Sequence, residues 1–589
     1  AAAQRFALPS LGRCEARRRD VAALIAEARV ARTDQLLDRC ALAPRLRESF
    51  DAYLQRHEVQ LGAQERALLM FAHSYMDVSF PQHTHLNARA VRAVGVLHVA
   101  DHLLKVSAEL QAQPGVAEAA ADNDRPADLG FSRARVLVLC PFRSACHEIV
   151  QAFLELLPGK RSVINKKRFK EEYGPQEEED PSNPNPYNKP DDHLELFKGN
   201  SDDKFRLGIS LGKKTVRLHA PLSSSDLLIA SPLGLREITG AEGDRKRDYD
   251  FLSSIEVLIV DRADVLRMQN WEHVQEVLKV VNQKPQRLEG LDISRLRSIF
   301  ADGRGREFRQ TVITSATQSV DAEAAFTVGP LKQTQVLGGK GLKRKLGSAF
   351  AFSRKNRGKR GPAVADSSDE EDTEEMPSAL LETAEQMCAA QSCRGFVRLA
   401  DPPPGEPLRR CTAAGVGKQF FLHVASSSMQ EQGERMLETF ESKYWKPLGI
   451  SLERLLVVCN SYLSFLQLRR FFREEGTEFC SAYEYSNGSD LMRARKRFKL
   501  GQRRLLLVTE RFLWYRRYHM RGADYVLFYG PPETPEIYEE VLGGVRTPSQ
   551  CNSMCLFTRQ DGFAVERIVG QERARRMLAS SPNQVFVFR

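Results

Sequence analysis

Glu256-Val257-Leu258-Ile259-Val260-Asp261-Arg262-Ala263-Asp264 is the stretch of sequence that indicates the fold of this chain. An apolar run that ends in acidic residues is typical of a buried parallel strand with carboxylates at its C-terminal end. In nucleotide hydrolysis, a carboxylate at such a place holds Mg²⁺ and a neighbouring residue positions the attacking water. The neighbour here is Arg262, a permanent cation that cannot accept a proton. The stretch therefore predicts an α/β scaffold that lacks its general base.

Similar apolar runs of strand length recur along the chain, and helical patterns separate them. Strands that alternate with helices predict a doubly wound parallel sheet. The runs fall into two groups, so we predict two such domains: the first group is 135–141, 226–232, 255–260 and 310–315, and the second is 454–459, 504–509 and 524–529.

Composition sets the predicted boundaries of these domains. Residues 1–60 form a predicted N-terminal helical extension, because Ala, Leu, Arg and Glu recur there, and on to about residue 75, with helical spacing. Residues 61–338 make the first domain, with a partly mobile insertion at about 160–220 that mixes basic, acidic and Pro/Asn-rich blocks. Residues 339–385 are predicted to be a disordered charged linker, and residues 386–589 the second domain.

The linker changes from basic to acidic along its length. Its basic half, which includes Lys343-Arg344-Lys345, has the composition of a nuclear-import signal. Ser367 and Ser368 precede a run of acidic residues and are candidate phosphorylation sites. A soluble tether without either function explains the same composition equally well.

Overall composition narrows the class of protein. The chain has 589 residues, of which 42% are hydrophobic, so large cores can form. Its formal net charge of +10 favours a polyanionic partner, although an unbound surface with excess Lys and Arg has the same charge. No apolar run is long enough for a membrane span, and the 11 cysteines lack the paired spacing of a zinc site. The chain begins with Ala1-Ala2-Ala3 and not with Met, so we expect a processed or shortened N-terminus.

The phosphate loop Gly-Xaa4-Gly-Lys-Ser/Thr is absent from the sequence. The nearest pattern, from Gly208 to Thr215, is one residue short between its glycines and follows the first predicted strand. The segment where such a loop belongs, about 70–105, has a helical pattern and one glycine, Gly95. There His98 and His102 stand one turn apart, a spacing that suits a metal, but two polar positions on one helix face are the simpler interpretation. We predict no cofactor and no metal.

Short elements at the predicted strand ends resemble, in order, the motif series of superfamily 2 helicases. They are Pro141–Ala145, Ser231–Leu235, Asp261–Asp264, Ser315-Ala316-Thr317, Thr509-Glu510-Arg511 and Arg521–Asp524. A final arginine motif is altered, with Gly544 in place of its first arginine and Arg546 displaced. The series implies two degenerate RecA-like domains that do not hydrolyse ATP. We expect Asp264 to accept a hydrogen bond from Ser315 or Thr317. We expect no catalytic residue in Asp261–Asp264 or in Ser315-Ala316-Thr317. Changing Asp261 to Ala is expected to leave function largely intact.

Cations and aromatic rings alternate in residues 511–521, a mixture that binds phosphates and stacks bases. The alternative is that Phe512 and Trp514 belong to the core and the arginines to a wet rim. Further basic clusters lie in the insertion and on a helix at 490–500. The candidate RNA-binding residues are Arg143, Lys166, Lys167, Arg168, Arg493, Arg495, Lys496, Arg497, Arg511, Trp514, Arg516, Arg517 and Arg521.

Residues 251–264, followed by Met268–Val274, are similar to the digestive organ expansion factor family, also called U3 small nucleolar RNA-associated protein 25. Asn165–Phe169, Ser224–Leu235, Lys246–Phe251 and Thr509–Phe512 support this resemblance, which extends over about 60–545. It implies a nucleolar, helicase-like component of the small-subunit processome without an active ATPase. The implied partners are pre-rRNA, U3 snoRNA and other processome proteins during 18S rRNA processing, with no membrane and a monomeric chain within a large particle.

The sequence leaves two other functions open. One is a divergent, active ATP-dependent RNA helicase in which Lys105 or Lys213 serves the phosphates, and nucleotide-dependent stabilisation would favour it. The other is a protein–protein platform without RNA contact, which an absence of RNA crosslinks at 511–521 would favour.

Overall fold

Two separate β-sheets organise the chain. The computed structural model describes residues 4–8, 12–16, 37, 40, 42–112, 130–175, 188–240, 244, 247–287, 296–327, 396–399, 417–426 and 429–588. The first unit comprises residues 1–186 and 190–404, and the second unit comprises residues 187–189 and 405–589. Each unit contains one of the two sheets.

The first unit holds an 11-stranded sheet. Its strands are β1 (Gln4–Leu8), β2 (Gly12–Ala16), β3 (Asp77–Phe80), β4 (Val136–Leu139), β5 (Ser162–Ile164), β6 (Arg206–Leu211), β7 (Thr215–Leu218), β8 (Leu227–Ala230), β9 (Val257–Val260), β10 (Gln310–Thr314) and β11 (Phe396–Leu399). Their order in the sheet is β1-β2-β11-β3-β10-β9-β4-β8-β6-β7-β5. The central strands, from β11 to β8, are parallel, whereas the β1–β2 hairpin and β6 run antiparallel to their neighbours.

The parallel strands are apolar throughout because both of their faces are covered. In β4, Val136 and Val138 contribute to one hydrophobic core, and Leu137 and Leu139 to a second core. Successive side chains of a strand point to opposite faces, so the alternation places one core on each side of the sheet. This double burial explains the continuous apolar runs in the sequence.

Helices cover the two faces of the first sheet. They are α1 (Pro44–Arg56), α2 (Ala63–His73), α3 (Ala88–Ala112), α4 (Arg143–Leu156), α5 (Lys166–Tyr173), α6 (Asp191–Leu196), α7 (Pro232–Thr239), α8 (Ala263–Val280), α9 (Ser298–Ala301), α10 (Gly305–Phe308) and α11 (Val320–Ala324). Helix α3 contributes Val94 and Leu97 to the first core, and α8 contributes Leu266 and Val274 to the second. The first unit is therefore a three-layer α/β/α structure.

The second unit has a seven-stranded sheet. Its strands are β12 (Gln419–His423), β13 (Leu455–Cys459), β14 (Phe479–Ala482), β15 (Leu505–Thr509), β16 (Tyr525–Tyr529), β17 (Asn552–Phe557) and β18 (Val585–Phe588). The order is β14-β15-β13-β16-β17-β12-β18, and every neighbouring pair is parallel except β12 and β18.

All but the last of the helices of the second unit follow one of these strands in sequence. They are α12 (Met429–Thr439), α13 (Tyr462–Glu474), α14 (Gly488–Lys499), α15 (Glu510–Arg516), α16 (Pro535–Gly543), α17 (Gly562–Val569) and α18 (Gln571–Leu578). The hydroxyl of Ser461 caps α13, and that of Thr509 caps α15, by accepting a backbone N–H from the first turn. In the described part of either unit, no helix is both long and apolar enough to cross a membrane.

The predicted α/β class with two doubly wound domains is confirmed by these sheets. All seven predicted strands are present, as β4, β8, β9, β10, β13, β15 and β16. The prediction of helix from residue 12 onward is wrong for residues 12–16, which form β2. That strand pairs with β11, and local periodicity cannot report a partner so distant in sequence.

The structure also bears on the predicted insertion and on the predicted start of the second domain. The insertion at about 160–220 contributes β5, β6, β7 and α5 to the first unit, and its residues 176–187 lie outside the described residues. Strand β11 lies in the first sheet, although the predicted second domain began at residue 386. The predicted linker at 339–385, with Ser367 and Ser368, lies outside the described residues.

Candidate functional site

Three strand ends meet at one edge of the first sheet. Strand β9 pairs with β10, and β10 pairs with β3, all in parallel. Asp261, Ser315 and Pro81, which directly follow these strands, therefore lie at the same carboxyl edge. Ligands of open parallel sheets bind at this edge. The unit of strand β3, loop 81–87 and helix α3 has the arrangement in which a phosphate loop is found.

The loop at 81–87 reads Pro-Gln-His-Thr-His-Leu-Asn and has no glycine. Its backbone is held by the protein itself: His83 donates its N–H to the carbonyl of Ser315 at 2.8 Å. The side chain of Asn87 accepts the N–H of Thr84 at 2.8 Å and donates to Glu65 at 2.8 Å. The backbone N–H groups of His83 and Thr84 are thus bonded within the protein, whereas a phosphate loop would turn such groups toward an anion.

The side chain of His83 fills the space above Asp261. It is fully buried, and its Nδ1 lies 2.9 Å from the hydroxyl of Thr314 and 3.3 Å from Oδ1 of Asp261. Burial lowers the pKa of His83 to about 3, even though Asp261 opposes this shift. The imidazole is therefore neutral at physiological pH, and it holds its place by hydrogen bonding rather than by charge.

Arg92 supplies the positive charge at this carboxylate. It lies near the start of α3, and its Nε donates to Oδ2 of Asp261 at 3.1 Å while another nitrogen contacts Glu148. Burial favours a higher pKa for Asp261, but the guanidinium charges of Arg92 and Arg262, together with the contact with His83, outweigh it and hold the pKa below the usual range. Asp261 is thus an ionised, buried carboxylate paired with a guanidinium.

Arg262, at the position of the missing base, is turned back onto its own motif. Its backbone has a φ of 55°, in the left-handed region, and its guanidinium donates to Asp264 at 2.7 Å. The other oxygen of Asp264 accepts the N–H of Ala316 at 2.9 Å. The expected link from Asp264 to the Ser-Ala-Thr element is present, but through this backbone N–H and not through the hydroxyl of Ser315 or Thr317.

These residues do not fit a magnesium-bound nucleotide. The two carboxylates of the motif, Asp261 and Asp264, are neutralised by two guanidinium groups, Arg92 and Arg262. The cavity that borders Asp261 has a volume of about 40 Å³ and mostly apolar lining, which is room for only about one water molecule. The arrangement is an ion-pair cluster in which each carboxylate of the motif has a cationic partner from the chain.

The arginine of the altered motif in the second unit, Arg546, is also paired with a carboxylate of the chain. Arg546 lies after α16, and its Nε and one terminal nitrogen donate to the two oxygens of Asp524, each at 2.9 Å. A bidentate pair of this kind fixes the direction of the guanidinium. Arg546 thereby fastens the end of α16 to the start of β16.

His98 and His102 do not share a ligand. Nε2 of His98 lies 2.6 Å from the side-chain oxygen of Gln310, and His102 contacts Tyr75 at 2.9 Å and Glu256 at 3.1 Å. Burial lowers the pKa of His98 well below its ordinary value. Among the described residues, no three His, Cys, Asp or Glu side chains come together as a potential metal site.

The RNA-binding candidates of the first unit divide into two kinds. Arg143 donates to Asp202 at 2.8 Å and to two backbone carbonyls, and it lies over the ring of Tyr173. These contacts hold its guanidinium in place, and its binding to RNA stays a prediction. Lys166, Lys167 and Arg168 are exposed in the first turn of α5.

Two candidates of the second unit are buried and need correction. Trp514 is 6% exposed, so its ring belongs to the core and has no free face on which a base could stack. Arg517 is also buried, and its guanidinium donates to Glu540 at 2.5 Å. Both were predicted as RNA contacts from their place in an aromatic and basic segment. The alternative interpretation, a core tryptophan within that segment, is the correct one for Trp514.

The remaining candidates of the second unit are accessible. Arg495 stacks over Tyr518, and Arg511 lies over Tyr515. The other five side chains are exposed, on α14 and around the end of α15: Arg493, Lys496, Arg497, Arg516 and Arg521.

His83 and Arg92 are the residues of this cluster that the sequence interpretation missed. One signal for Arg92 was present: it is a single cation within the apolar run Ala90-Val91-Arg92-Ala93-Val94. A buried cation requires a buried anion, and Asp261 is a carboxylate at the end of a buried strand. His83 has no comparable signal, because a histidine in a polar loop is ordinary.

Two sequence families match the chain. The family described as "UTP25, NTP hydrolase-like domain" matches residues 75–332, and "Utp25, C-terminal domain" matches residues 413–588. Over 533 residues the chain is 33% identical to the U3 small nucleolar RNA-associated protein 25 homolog of Homo sapiens, covering 88% of this chain and 62% of that protein. It is 30% identical over 547 residues to U3 small nucleolar RNA-associated protein 25 of Arthroderma benhamiae, covering 91% and 68%.

The chain spans about three-fifths of the length of its human, mouse and rat relatives. Among solved structures, it matches the yeast DEAD-box splicing factor Prp28 at 10% identity and a TM-score of 0.25, over 89% of this chain and 82% of that one. It also matches a DEAD box protein from Methanococcus jannaschii at 12% identity and a TM-score of 0.24, over 91% and 96%.

Proposed function

The chain belongs to the family of U3 small nucleolar RNA-associated protein 25, and from this membership we propose that it is a non-catalytic, helicase-like ribosome biogenesis factor. It acts in the nucleolus, within the small-subunit processome, during 18S rRNA processing. It binds pre-rRNA or the U3 snoRNP together with other assembly proteins. The name of its relatives, U3 small nucleolar RNA-associated protein 25, supports the class of RNA.

The observation that supports a non-catalytic role is that side chains of the protein already contact both carboxylate oxygens of Asp261. Arg92 and His83 contact its two oxygens, which are the positions that a magnesium ion would require. Phosphoryl transfer depends on positioned charge around the phosphates, and this chain has no phosphate loop to provide it. The first unit keeps the α/β scaffold and uses its motif residues to stabilise it.

ATP binding tests this proposal directly. We expect the purified chain to show the same melting temperature with and without saturating Mg–ATP, because a ligand that binds only the native state raises apparent stability. We also expect no ATP turnover in the presence of structured RNA. The measurements are a thermal unfolding curve and a phosphate-release assay.

Asp261→Asn is the matched control for turnover. It keeps the shape of the side chain and removes the charge that a metal would need. Turnover that persists in Asp261→Asn belongs to a contaminating ATPase and leaves the proposal intact. Nucleotide-dependent stabilisation together with turnover that Asp261→Asn abolishes would establish an active helicase instead.

A further inference from the structure

Basic side chains surround strand β5, at the outer edge of the first sheet. Strand β5 is the last strand in the sheet order and pairs with β7 alone among the described strands. Lys160 precedes it, Lys166 follows it, and Lys213 and Lys214 lie in the turn between β6 and β7. Together with Arg217 of β7, these residues define a surface that we name the β5 margin.

Backbone contacts bring these cations together. Ser162 donates its N–H to the carbonyl of Lys214 at 2.9 Å, and Arg161 donates to the carbonyl of Gly212 at 2.7 Å. These bonds fix the turn of Lys213 and Lys214 beside the beginning of β5. At the other end of the strand, Ile164 is paired in register with Arg217, whose side chain is exposed. Residues distant in sequence thus form one positive surface.

The cations of the β5 margin differ from their neighbours on α5 in their ion pairing. Lys160, Lys166, Lys213, Lys214 and Arg217 are all exposed, and within the described parts of the chain none of them forms an ion pair. By contrast, their neighbours Lys167 and Arg168 face Glu171 and Glu172 on α5. Lys166 also begins α5, where the helix dipole is already positive and a cation is unfavourable. An anion bound there would relieve this repulsion.

The exposed neutral side chains of the surface narrow the type of anion. Ser162, Ile164 and Thr215 lie between the cations, and none carries a ring on which an unpaired base could stack. The strand with its flanking residues extends roughly 20 Å at about 3.3 Å per residue, which is long enough to follow a few successive phosphates of one duplex strand. Resting on the RNA role proposed above, we infer that the β5 margin binds the phosphate backbone of double-stranded RNA.

The test compares RNA binding by two variants of the full chain that have the same net charge. The first variant carries Lys160→Gln, Lys213→Gln, Lys214→Gln and Arg217→Gln. The control carries Arg470→Gln, Arg473→Gln, Arg575→Gln and Arg576→Gln, which are exposed cations on α13 and α18 of the second unit. The probe is a fluorescent RNA hairpin with a stem of about 16 base pairs, and anisotropy is measured over a range of salt concentrations.

The first variant, called the margin variant below, is expected to bind the hairpin at least about tenfold more weakly near physiological salt. The slope of the logarithm of its binding constant against the logarithm of salt concentration is expected to fall in magnitude by about one for each lost phosphate contact. The control is expected to change affinity less than about twofold, because its charges touch no RNA. Equal melting temperatures of the three proteins show that the exposed substitutions leave the fold unchanged.

The outcomes separate this inference from the proposed function. If the unaltered chain binds no RNA, the proposed RNA role itself fails. If it binds RNA but the margin variant and the control lose affinity equally, the β5 margin is not the binding surface. Preference for a single strand of the same length over the hairpin would also overturn the inference of a duplex.

Discussion

At the scale of single residues, the environment of Asp261 shows how the carboxylates of an acidic motif are neutralised by cations of the same chain. A carboxylate with 4% of its residue surface exposed must be neutralised, and Arg92 does so at 3.1 Å. Arg262 neutralises Asp264 in the same way. Because each charge has a partner from the chain, the motif is stable without a bound ion. The sequence showed the loss of a base at position 262 but not the gain of a cation at position 92.

The first prediction concerns the Arg92–Asp261 pair. Asp261→Ala is expected to lower the free energy of unfolding of the first unit by about 3–5 kcal/mol, because it leaves the buried guanidinium without a partner. Arg92→Met is expected to have a similar effect, and the double variant to lose at least about 1 kcal/mol less than the sum. Urea denaturation measures all three, and the expectation that Asp261→Ala leaves function largely intact stays a prediction.

An exposed pair provides the control for that cycle. Arg470 and Glu474 are bonded at 2.8 Å on the surface of α13, where solvent screens both charges. Arg470→Ala is expected to leave the unfolding free energy unchanged within the precision of the measurement. Strictly additive losses for Arg92→Met and Asp261→Ala would show that the buried pair is not coupled.

The second prediction uses the lowered pKa of His83. Its folded pKa is about 3 and its ordinary value 6.5, so between these values the unfolded chain binds a proton that the folded chain does not. Stability is therefore lost as pH falls below 6.5, by about 2 kcal/mol at pH 5 for this one group. The lowered pKa values of Asp261 and Asp264 act only below about pH 4.

His83→Asn isolates this contribution, because its side-chain N–H can still donate to Thr314 but does not titrate. Between about pH 7.5 and about pH 5, the variant is expected to lose about 2 kcal/mol less stability than the unaltered chain. Urea denaturation at the two pH values gives the difference. The same loss in both proteins would show that His83 is accessible to protons in the folded state.

At the scale of elements, β11 shows that a strand can belong to a unit far from its place in sequence. It pairs with β3 and with β2, so it connects the β1–β2 hairpin to the parallel strands. Strand β3 in turn leads into the loop of His83 and into α3. Without β11, β3 becomes an edge strand and the hairpin loses its attachment. The integrity of the candidate site therefore depends on a strand that follows it by about 80 residues.

The third prediction tests this attachment with two fragments of the chain. A fragment of residues 1–404 is expected to unfold at a higher urea concentration than a fragment of residues 1–338, because only the longer one contains β11. The control is the 1–404 fragment with residues 396–399 replaced by Gly and Ser, which is expected to match the shorter fragment. Identical midpoints for all three fragments would mean that β11 contributes nothing to the first unit.

At the scale of the whole molecule, the two units have separate sheets and separate hydrophobic cores. Buried cysteines in each provide internal probes: Cys140 and Cys146 in the first unit, Cys459 and Cys555 in the second. Burial raises the pKa of Cys140 and of Cys459 well above the ordinary value, so these thiols react slowly while the fold is intact.

The fourth prediction follows from these separate cores. In the Asp261→Ala variant, Cys140 and Cys146 are expected to be alkylated at a lower urea concentration than in the unaltered chain, whereas Cys459 and Cys555 keep their original midpoint. Mass spectrometry of the alkylated peptides distinguishes the four sites. A shared shift of all four cysteines would show that the chain unfolds as one cooperative body.

The amino-acid sequence by itself determined the class of the fold, seven of the buried strands and the presence of an arginine, Arg262, within the acidic motif. It could do so because apolar runs, helix periodicity and motif order are local properties of the chain. Only the tertiary structure decided that Arg92 and His83 reach Asp261, that Trp514 lies in the core, and that β2 and β11 join the first sheet. These outcomes depend on contacts between residues far apart in sequence, and no local pattern records which distant side chain will supply the partner.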